Sequence, residues 1–509
     1  MIFINRDAQL RLLEKEYGRG RSCVFMVSGS RGCGKTELVK RFLAGKKHIY
    51  FSAGRCTERE NLRMFSRKLA HYFRDNFILE QKFTAWNDAF KYIHDNALQK
   101  NPLVIVIDNF HYIAGSSPDI LHSALKFRKC MEGSCPVLMI LAGSGKNSSY
   151  KENHPAEGAD DGLNYRHIAV EPFKFTDIAK IFKGIELTKD DTERILISYF
   201  MLGGTISYWA NIFGMDSDNI YPILHNAGAH AGARIPGVSE PGSDIFKEII
   251  KKITKKNTYL CNAVDLILKE DIEEPRFYYT ILASIARGND QTSTLFKDTG
   301  LGRGILSKYT GVLENLGIVS RKLPITKDPA VGRNAKYFIN DNFLNFWFNF
   351  IFPYMSEIGQ GNYDLFESAD DMEFEKIRAK LNNLINIKFK DTSFEIVDYM
   401  NKRGILPFRA ERIDRWWDRT SSIDIAAFNT KRVDILFCDC FWIEDVGFHE
   451  FLELKKKSRH LRWYNNERTE YFMLFAKSFN RQFLNYAKKY NIQCIDTDNI
   501  MRLIFNRKH

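Results

Sequence analysis

No run of apolar residues in this 509-residue chain approaches the roughly 18 needed to cross a bilayer as a helix, which excludes a conventional membrane-spanning anchor. No Cys-x-x-Cys pair occurs among its nine cysteines, so the spacing most typical of thiolate zinc sites is missing. Cys438 and Cys440 stand two apart, a spacing that suits one face of a strand. A reduced, cytoplasmic interior is the expectation. The opening residues, Met1-Ile2-Phe3-Ile4-Asn5-Arg6-Asp7, lack the basic start and apolar core of a secretory signal. No segment repeats, which removes solenoid architectures.

Acidic residues are outnumbered, 62 against 74 Lys and Arg, for a net charge of +12. Such an excess suits a polyanionic partner, because basic surface releases counterions from a phosphate backbone; it equally suits simple solubility. Apolar content of 44% and charged content of 27% are ordinary for globular protein. At roughly 100–200 residues per domain the length allows three or four domains.

Short apolar runs alternate with helical patterns over the first third. Cys23–Val27, His48–Phe51, Leu103–Ile107 and Val137–Ala142 read as buried strands. Ile2–Tyr17 reads as a strand and helix, and Thr36–Leu43 and Glu60–Phe77 as helices. That rhythm predicts a parallel sheet with helices on both faces. Gly143–Asn164 reads as a polar loop, Pro172–Phe213 as helical, and Gly228–Ser243 as a boundary loop. Helices at Arg276–Arg287, from Thr292, and at Arg303–Asn315 follow. The last has Ile305, Leu306, Tyr309, Val312 and Leu313 on one broad face, and a hairpin of Ile318–Arg321 with Lys336–Ile339 completes the order of a winged helix. The aromatic crowd of Phe343–Tyr354 predicts a packing helix.

The densest chemical signal is Gly29-Ser30-Arg31-Gly32-Cys33-Gly34-Lys35-Thr36, a match to G-x-x-x-x-G-K-[ST] with a strand before it and a helix after. Glycines let the backbone curl so that its N–H groups face phosphate oxygens, and the helix N-terminus adds positive potential. Lys35 then reaches the β and γ phosphates and Thr36 places its hydroxyl on Mg²⁺. ATP with Mg²⁺ is the expected ligand. Asp108, ending the Leu103–Ile107 run, is the expected metal-side carboxylate. Next stands Asn109, an amide, which can orient water but cannot accept its proton. Lys35, Asp108 and Asn109 form the candidate catalytic set, with His111 or another acid as the alternative base. Ser144 reads either as a γ-phosphate sensor or as a turn serine. Arg166 reads as a solvated arginine, or as one reaching phosphate in cis or across a boundary between copies of a homo-oligomer.

With these motifs in order, the chain resembles the archaeal-type ATPases of the P-loop AAA+/STAND group, which join an ATPase core to a winged helix and a C-terminal domain related to PD-(D/E)XK nucleases. Matching stretches are Phe3–Tyr17, the P-loop, Tyr50–Phe73, Ile107–Tyr112, Leu141–Ser144, Val170–Phe175, Leu202–Tyr208 and Asn340–Pro353. The family's Asp-Glu pair is Asp108-Asn109 in this chain, and its proline after the Gly-Gly pair is Ile206. Gly203 and Gly204 would then sit near the nucleotide. The resemblance implies a multidomain α/β protein. Its expected parts are a P-loop core over 1–170, a helical lid over 171–245, a winged helix over 246–340, a helical connector over 341–390 and a restriction-endonuclease-like domain over 391–509.

In that last domain the resemblance places Asp424 and Asp439 as the two strand acids and Glu395 as a further ligand. The position of the activating lysine falls on Phe441, which carries no charge. A second register, Glu453-Leu454-Lys455 with Asp434, requires a strand where the pattern of Phe448–His460 predicts a helix. A degenerate nuclease site follows. DNA, if bound, would meet Arg303, Ser307 and Lys308 on the third helix and Arg321, Lys322, Lys327, Arg333 and Lys336 on the wing. The leading expectation is an ATPase or slow ATP switch. A nucleic-acid-binding regulator with a structural nucleotide site and an ATP-regulated nuclease are the alternatives.

Overall fold

The computed structural model describes residues 6–79, 83–97, 102–132, 135–143, 165–213, 244–255, 260, 263–265, 267–268, 275–325, 335–361, 366 and 372–505. They divide into two compact units: 1–172 with 205–207, and 173–204 with 208–509.

The first unit is built on five parallel strands, β1 (Cys23–Ser28), β2 (His48–Ser52), β3 (Leu103–Asp108), β4 (Val137–Gly143) and β5 (Arg166–Ala169), in the order β2-β3-β4-β1-β5. β3 is apolar from Leu103 to Ile107 because both its faces are covered. Ile105 and Ile107 face one core, with Phe65, Phe90 and Phe127; Val104 and Val106 face the other, with Leu38, Val39 and Phe42. The first core is closed by helices α3 (Glu58–Phe73), α4 (Trp86–Asn96), α5 (Phe110–Ser116) and α6 (Ile120–Cys130), the second by α1 (Asp7–Gly18) and α2 (Lys35–Leu43). α3 begins earlier than its apolar spacing implies, because the Thr57 hydroxyl accepts from the Glu60 amide. It ends earlier too, since Arg74 turns left-handed at φ +55°.

The second unit opens with α7 (Phe175–Ala179) and α8 (Lys189–Leu202), followed by the rest of α9 (Ile206–Phe213) and α10 (Ile245–Thr254). Next come α11 (Pro275–Ala286), α12 (Thr292–Thr299), α13 (Arg303–Asn315) and an antiparallel pair, β6 (Val319–Lys322) with β7 (Lys336–Ile339). Ile305, expected inside, is 39% exposed; the buried stripe of α13 is Leu306, Tyr309 and Leu313. At the start of α12 the Thr294 hydroxyl accepts from the Gln291 amide at 3.2 Å. α14 (Asn342–Phe350) buries its aromatics, as the crowding predicts, and the short α15 (Met355–Gln360) follows.

The C-terminal sheet runs β12-β11-β10-β9-β8. Its strands are β8 (Arg412–Trp417), β9 (Ser422–Asn429), β10 (Asp434–Phe441), β11 (Thr469–Ala476) and β12 (Gln493–Ile495). β8 to β10 pair antiparallel and β10 to β12 parallel. α17 (Phe448–Ser458) and α18 (Arg481–Lys489) pack on one face through Phe451, Leu454 and Phe483. The 31-residue α16 (Met372–Lys402) contributes Phe389 to an aromatic cluster with Phe200, Trp442 and Phe475. No described helix is long and apolar enough to cross a membrane.

Candidate functional site

The loop between β1 and α2 curls through left-handed glycines, Gly32 at φ +78° and Gly34 at φ +95°. Its back is pressed against protein. A Cβ on Gly29 would lie 2.1 Å from the carbonyl oxygen of Val170, and one on Gly32 2.1 Å from Ser207 Oγ. Around Gly34 such an atom would meet nothing within 4 Å, so the curl is braced behind and open in front. The Lys35 ammonium donates to the carbonyl oxygens of Gly29 (2.9 Å) and Ser30 (3.0 Å), which places a cation against the loop. The Cys33 thiol donates to Ser30 O at 2.8 Å, and burial pushes its pKa up. Two braces were not singled out from the sequence. Arg6, at the start of α1, donates to the carbonyls of Cys33 and Glu171. Ser207, at the start of α9, donates its amide to Gly32 O at 3.3 Å.

β4 lies between β1 and β3, yet the parallel register brings the C-terminal ends of all three to one edge. Asp108, 4% exposed, ends β3 there. Its Oδ2 accepts from the Thr36 hydroxyl at 2.9 Å and the Tyr50 hydroxyl at 2.7 Å, and its Oδ1 from the Asn109 amide at 2.9 Å. Asn109 is left-handed at φ +55°, a conformation asparagine tolerates better than most residues, and its side-chain amide donates to Ser52 Oγ at 3.1 Å. His111 sits near the end of β4, where a Cβ on Gly143 would stand 3.4 Å from its Nδ1. Ser144 lies outside the described residues. Arg166 sits three residues before the end of β5 and pairs with Glu16 at 2.9 Å.

A hydroxyl and a carboxylate in contact, beside a braced glycine loop, fit Mg²⁺, a hard cation that takes one or two protein oxygens and fills its shell with phosphate and water. Among the described residues no group of three or more His, Cys, Asp or Glu is arranged for a metal.

Parts of the chain are similar to known proteins. Residues 3–208 match the family described as an ATPase domain predominantly from Archaea. That match spans most of the N-terminal unit, including the Gly29–Thr36 loop and Asp108. Residues 347–460 match a second family, described as Archaea bacterial proteins of unknown function. An uncharacterized protein of Methanocaldococcus jannaschii is 25% identical over 447 residues, 87% of this chain and 88% of that protein. An uncharacterized ATP-binding protein of the same organism is 36% identical over 47 residues, 9% of this chain and 80% of that protein. Among solved structures, the Walker-type ATPase of Pyrococcus abyssi is similar with a TM-score of 0.47 and 13% identity, covering 68% of this chain and 96% of that one. The ORC2 protein of Aeropyrum pernix has a TM-score of 0.43 and 13% identity, covering 75% of this chain and 93% of that one.

In the second unit, Gly203 and Gly204 serve backbone packing. A Cβ on Gly204 would lie 1.7 Å from Phe173 O, and one on Gly203 3.2 Å from Asn342 Cβ.

In the C-terminal sheet, Asp424 and Asp439 are cross-strand neighbours just past the last β9–β10 pair, Ile425 with Cys438. There the carboxylates replace the ladder. Asp439 Oδ1 accepts from the Asp424 amide at 3.1 Å and Asp424 Oδ2 from the Cys440 amide at 3.0 Å. Their remaining oxygens take lysines, Lys390 on Asp424 at 2.9 Å and Lys457 on Asp439 at 2.7 Å. All four oxygens therefore hold protein donors. Burial and the neighbouring Asp424 push the Asp439 pKa up. Phe441 ends β10, and Glu453 lies on a helix, as expected, 3.7 Å from Lys456. Asp434 opens β10 and pairs with Arg432.

Glu395 is not part of this pair. Its carboxylate accepts from the Phe175 amide at 2.7 Å and the Tyr199 hydroxyl at 3.0 Å, tying α16 to α7 and α8. Its pKa is pushed up to about 7, chiefly by burial and against the pull of the Phe175 amide, Tyr199 and Lys174. The folded protein thus holds a proton that the unfolded chain releases near 4.5. The sign follows: stability contributed by this group is full below about pH 4.5 and is lost as pH rises through about 7. Glu395→Gln should remove that component. Unfolding free energies from urea titrations at pH 5 and pH 8 should then differ by about 1–2 kcal/mol less than in the native protein. An unchanged difference would show the carboxyl to be ionised throughout.

The hairpin cations are largely engaged. Lys322 lies over Phe338 and Phe394, and Lys336 pairs with Asp290 at 2.9 Å and lies over Trp417. Ile325 N donates to Arg415 O, which seats the hairpin on β8. Arg321 also has partners. Lys327 and Arg333 lie outside the described residues. Arg303, Ser307 and Lys308 of α13 are exposed.

Proposed function

We propose that this chain is a Mg·ATP-binding switch of slow turnover, whose nucleotide occupancy is read by a winged helix and a nuclease-like domain that does not cleave. The carrying observation is Asn109. It stands where a general base would act on water, its side chain is an amide, and that amide is turned to Ser52. Lys35 and the loop amides bind the phosphates, and Thr36 with Asp108 holds the metal side. Bound Mg²⁺ would supply charge neutralisation at the β and γ phosphates. Readout begins at Ser207, because the segment bonded to Gly32 is joined in the chain to the Gly203-Gly204 turn before it and to the rest of α9 after it.

The absence of cleavage is supported by the closed Asp424–Asp439 pair, whose oxygens are all taken, and by Phe441. The β8-to-β11 sheet with α16 and α17 supports descent from a nuclease-like fold. DNA contact, if made, would rest on α13, since Lys322 and Lys336 are engaged by protein. The experiment is steady-state ATP turnover by the native protein and by Asn109→Glu. A slow native rate that rises in the variant supports the switch; no nucleotide bound by either protein overturns it.

A further inference from the structure

We infer that Tyr50 is a positioning residue of the nucleotide site, fixing the Asp108 carboxylate in the orientation that receives the metal–nucleotide. This rests on the ATP-site reading above.

Tyr50 lies on β2 opposite Val106, two residues before Ser52, which pairs with Asp108. Its ring packs with the core beneath α2, among Val106, Leu38 and Phe42. The hydroxyl emerges from that core 2.7 Å from Asp108 Oδ2. Three donors therefore converge on one carboxylate: Thr36 and Tyr50 on Oδ2, the Asn109 amide on Oδ1. A carboxylate oxygen accepts two hydrogen bonds, so Thr36 and Tyr50 fill Oδ2 between them.

These donors differ in one respect. The Thr36 hydroxyl is the one expected to turn to the metal when nucleotide binds. It would leave a single acceptor direction on Oδ2 for a water of the metal's shell. The Asn109 amide belongs to the backbone and Tyr50 to a packed ring, so neither moves. They hold both oxygens, and with them the plane of the carboxylate. A pre-oriented carboxylate costs the metal complex less ordering, the general logic of a supporting shell around a site.

A tyrosine that merely packs, its hydroxyl meeting the nearest acceptor, is the competing account. The two differ in metal dependence. Tyr50→Phe keeps the ring and removes only the donor. At saturating fluorescent mant-ATP, the Mg²⁺ midpoint should rise about tenfold, as expected for one hydrogen bond to a charged group. Affinity for mant-ADP in EDTA should stay within about twofold, and the ligand-free melting temperature should barely move. In an Asp108→Asn background the same substitution should leave the Mg²⁺ midpoint unchanged, which separates positioning from a general loss of fold. Equal losses with and without Mg²⁺, or an unmoved midpoint, would overturn the inference while leaving the ATP site standing. A native protein that binds neither nucleotide would overturn the ATP-site reading and the inference with it.

Discussion

Asn109→Glu is expected to raise the rate of ATP hydrolysis by about 10²–10⁴, the usual contribution of a positioned general base. Asn109 follows Asp108 directly and holds Ser52 with its amide, so a glutamate reaches the same side of the sheet edge. Two opposing effects bound the gain. The residue is left-handed at φ +55°, where a glutamate costs roughly 1 kcal/mol more than asparagine. The new carboxylate also stands beside Asp108, and repulsion between them favours metal-bound states. A moderate loss of thermal stability alongside faster turnover is therefore the expected pair of results. Single-turnover assays separate chemistry from product release. If the rate stays at the native level while nucleotide binding is intact, the slow step lies elsewhere, with His111 the next residue to test.

Lys457→Met is expected to destabilise the C-terminal domain by about 2–3 kcal/mol, below the roughly 3–5 kcal/mol that removing one partner of a fully buried pair costs. The reduction reflects exposure: the Lys457 side chain is 32% exposed, whereas that of Asp439 is 2% exposed and would be left without its cation. Asp439 already carries the charge of Asp424 beside it, so the loss falls on a crowded pair. Adding Asp439→Asn to Lys457→Met should return part of the stability, because the stranded charge is then gone. Urea denaturation of the four proteins of this cycle gives the coupling directly. If the single and double variants are equally stable, the lysine is not neutralising the pair, and room for a metal on these carboxylates reopens.

Much of this arrangement was legible in the residues. The P-loop announced itself because a phosphate cradle requires glycine at fixed spacing and a lysine at a helix start. β3 and β4 were readable because strands covered on both faces must be apolar throughout. α4 was missed although Trp86, Phe90 and Ile93 carry a helical spacing. Ile305 was misplaced because a broad apolar face does not say which edge of it the neighbours cover. Long-range partners were the hardest to read. That Tyr50 would meet Asp108, that Ser207 would brace Gly32, and that Lys390 and Lys457 would close the Asp424–Asp439 pair depends on strand order and helix placement. None of these leaves a local signature. Glu395 looked like a ligand because it precedes two acids on the right elements; its true partners lie some two hundred residues upstream, at Phe175 and Tyr199.

Everything functional depends on a triphosphate seating in the Gly29–Thr36 loop. The most direct measurement is equilibrium binding of Mg·ATP to the native chain and to Lys35→Ala. Saturable binding by the native protein, weakened at least tenfold when the ammonium is removed, is the expected result, given about 1.5–3 kcal/mol for a hydrogen bond to a charged group. Native binding that does not saturate, or affinity indifferent to Lys35, would contradict it.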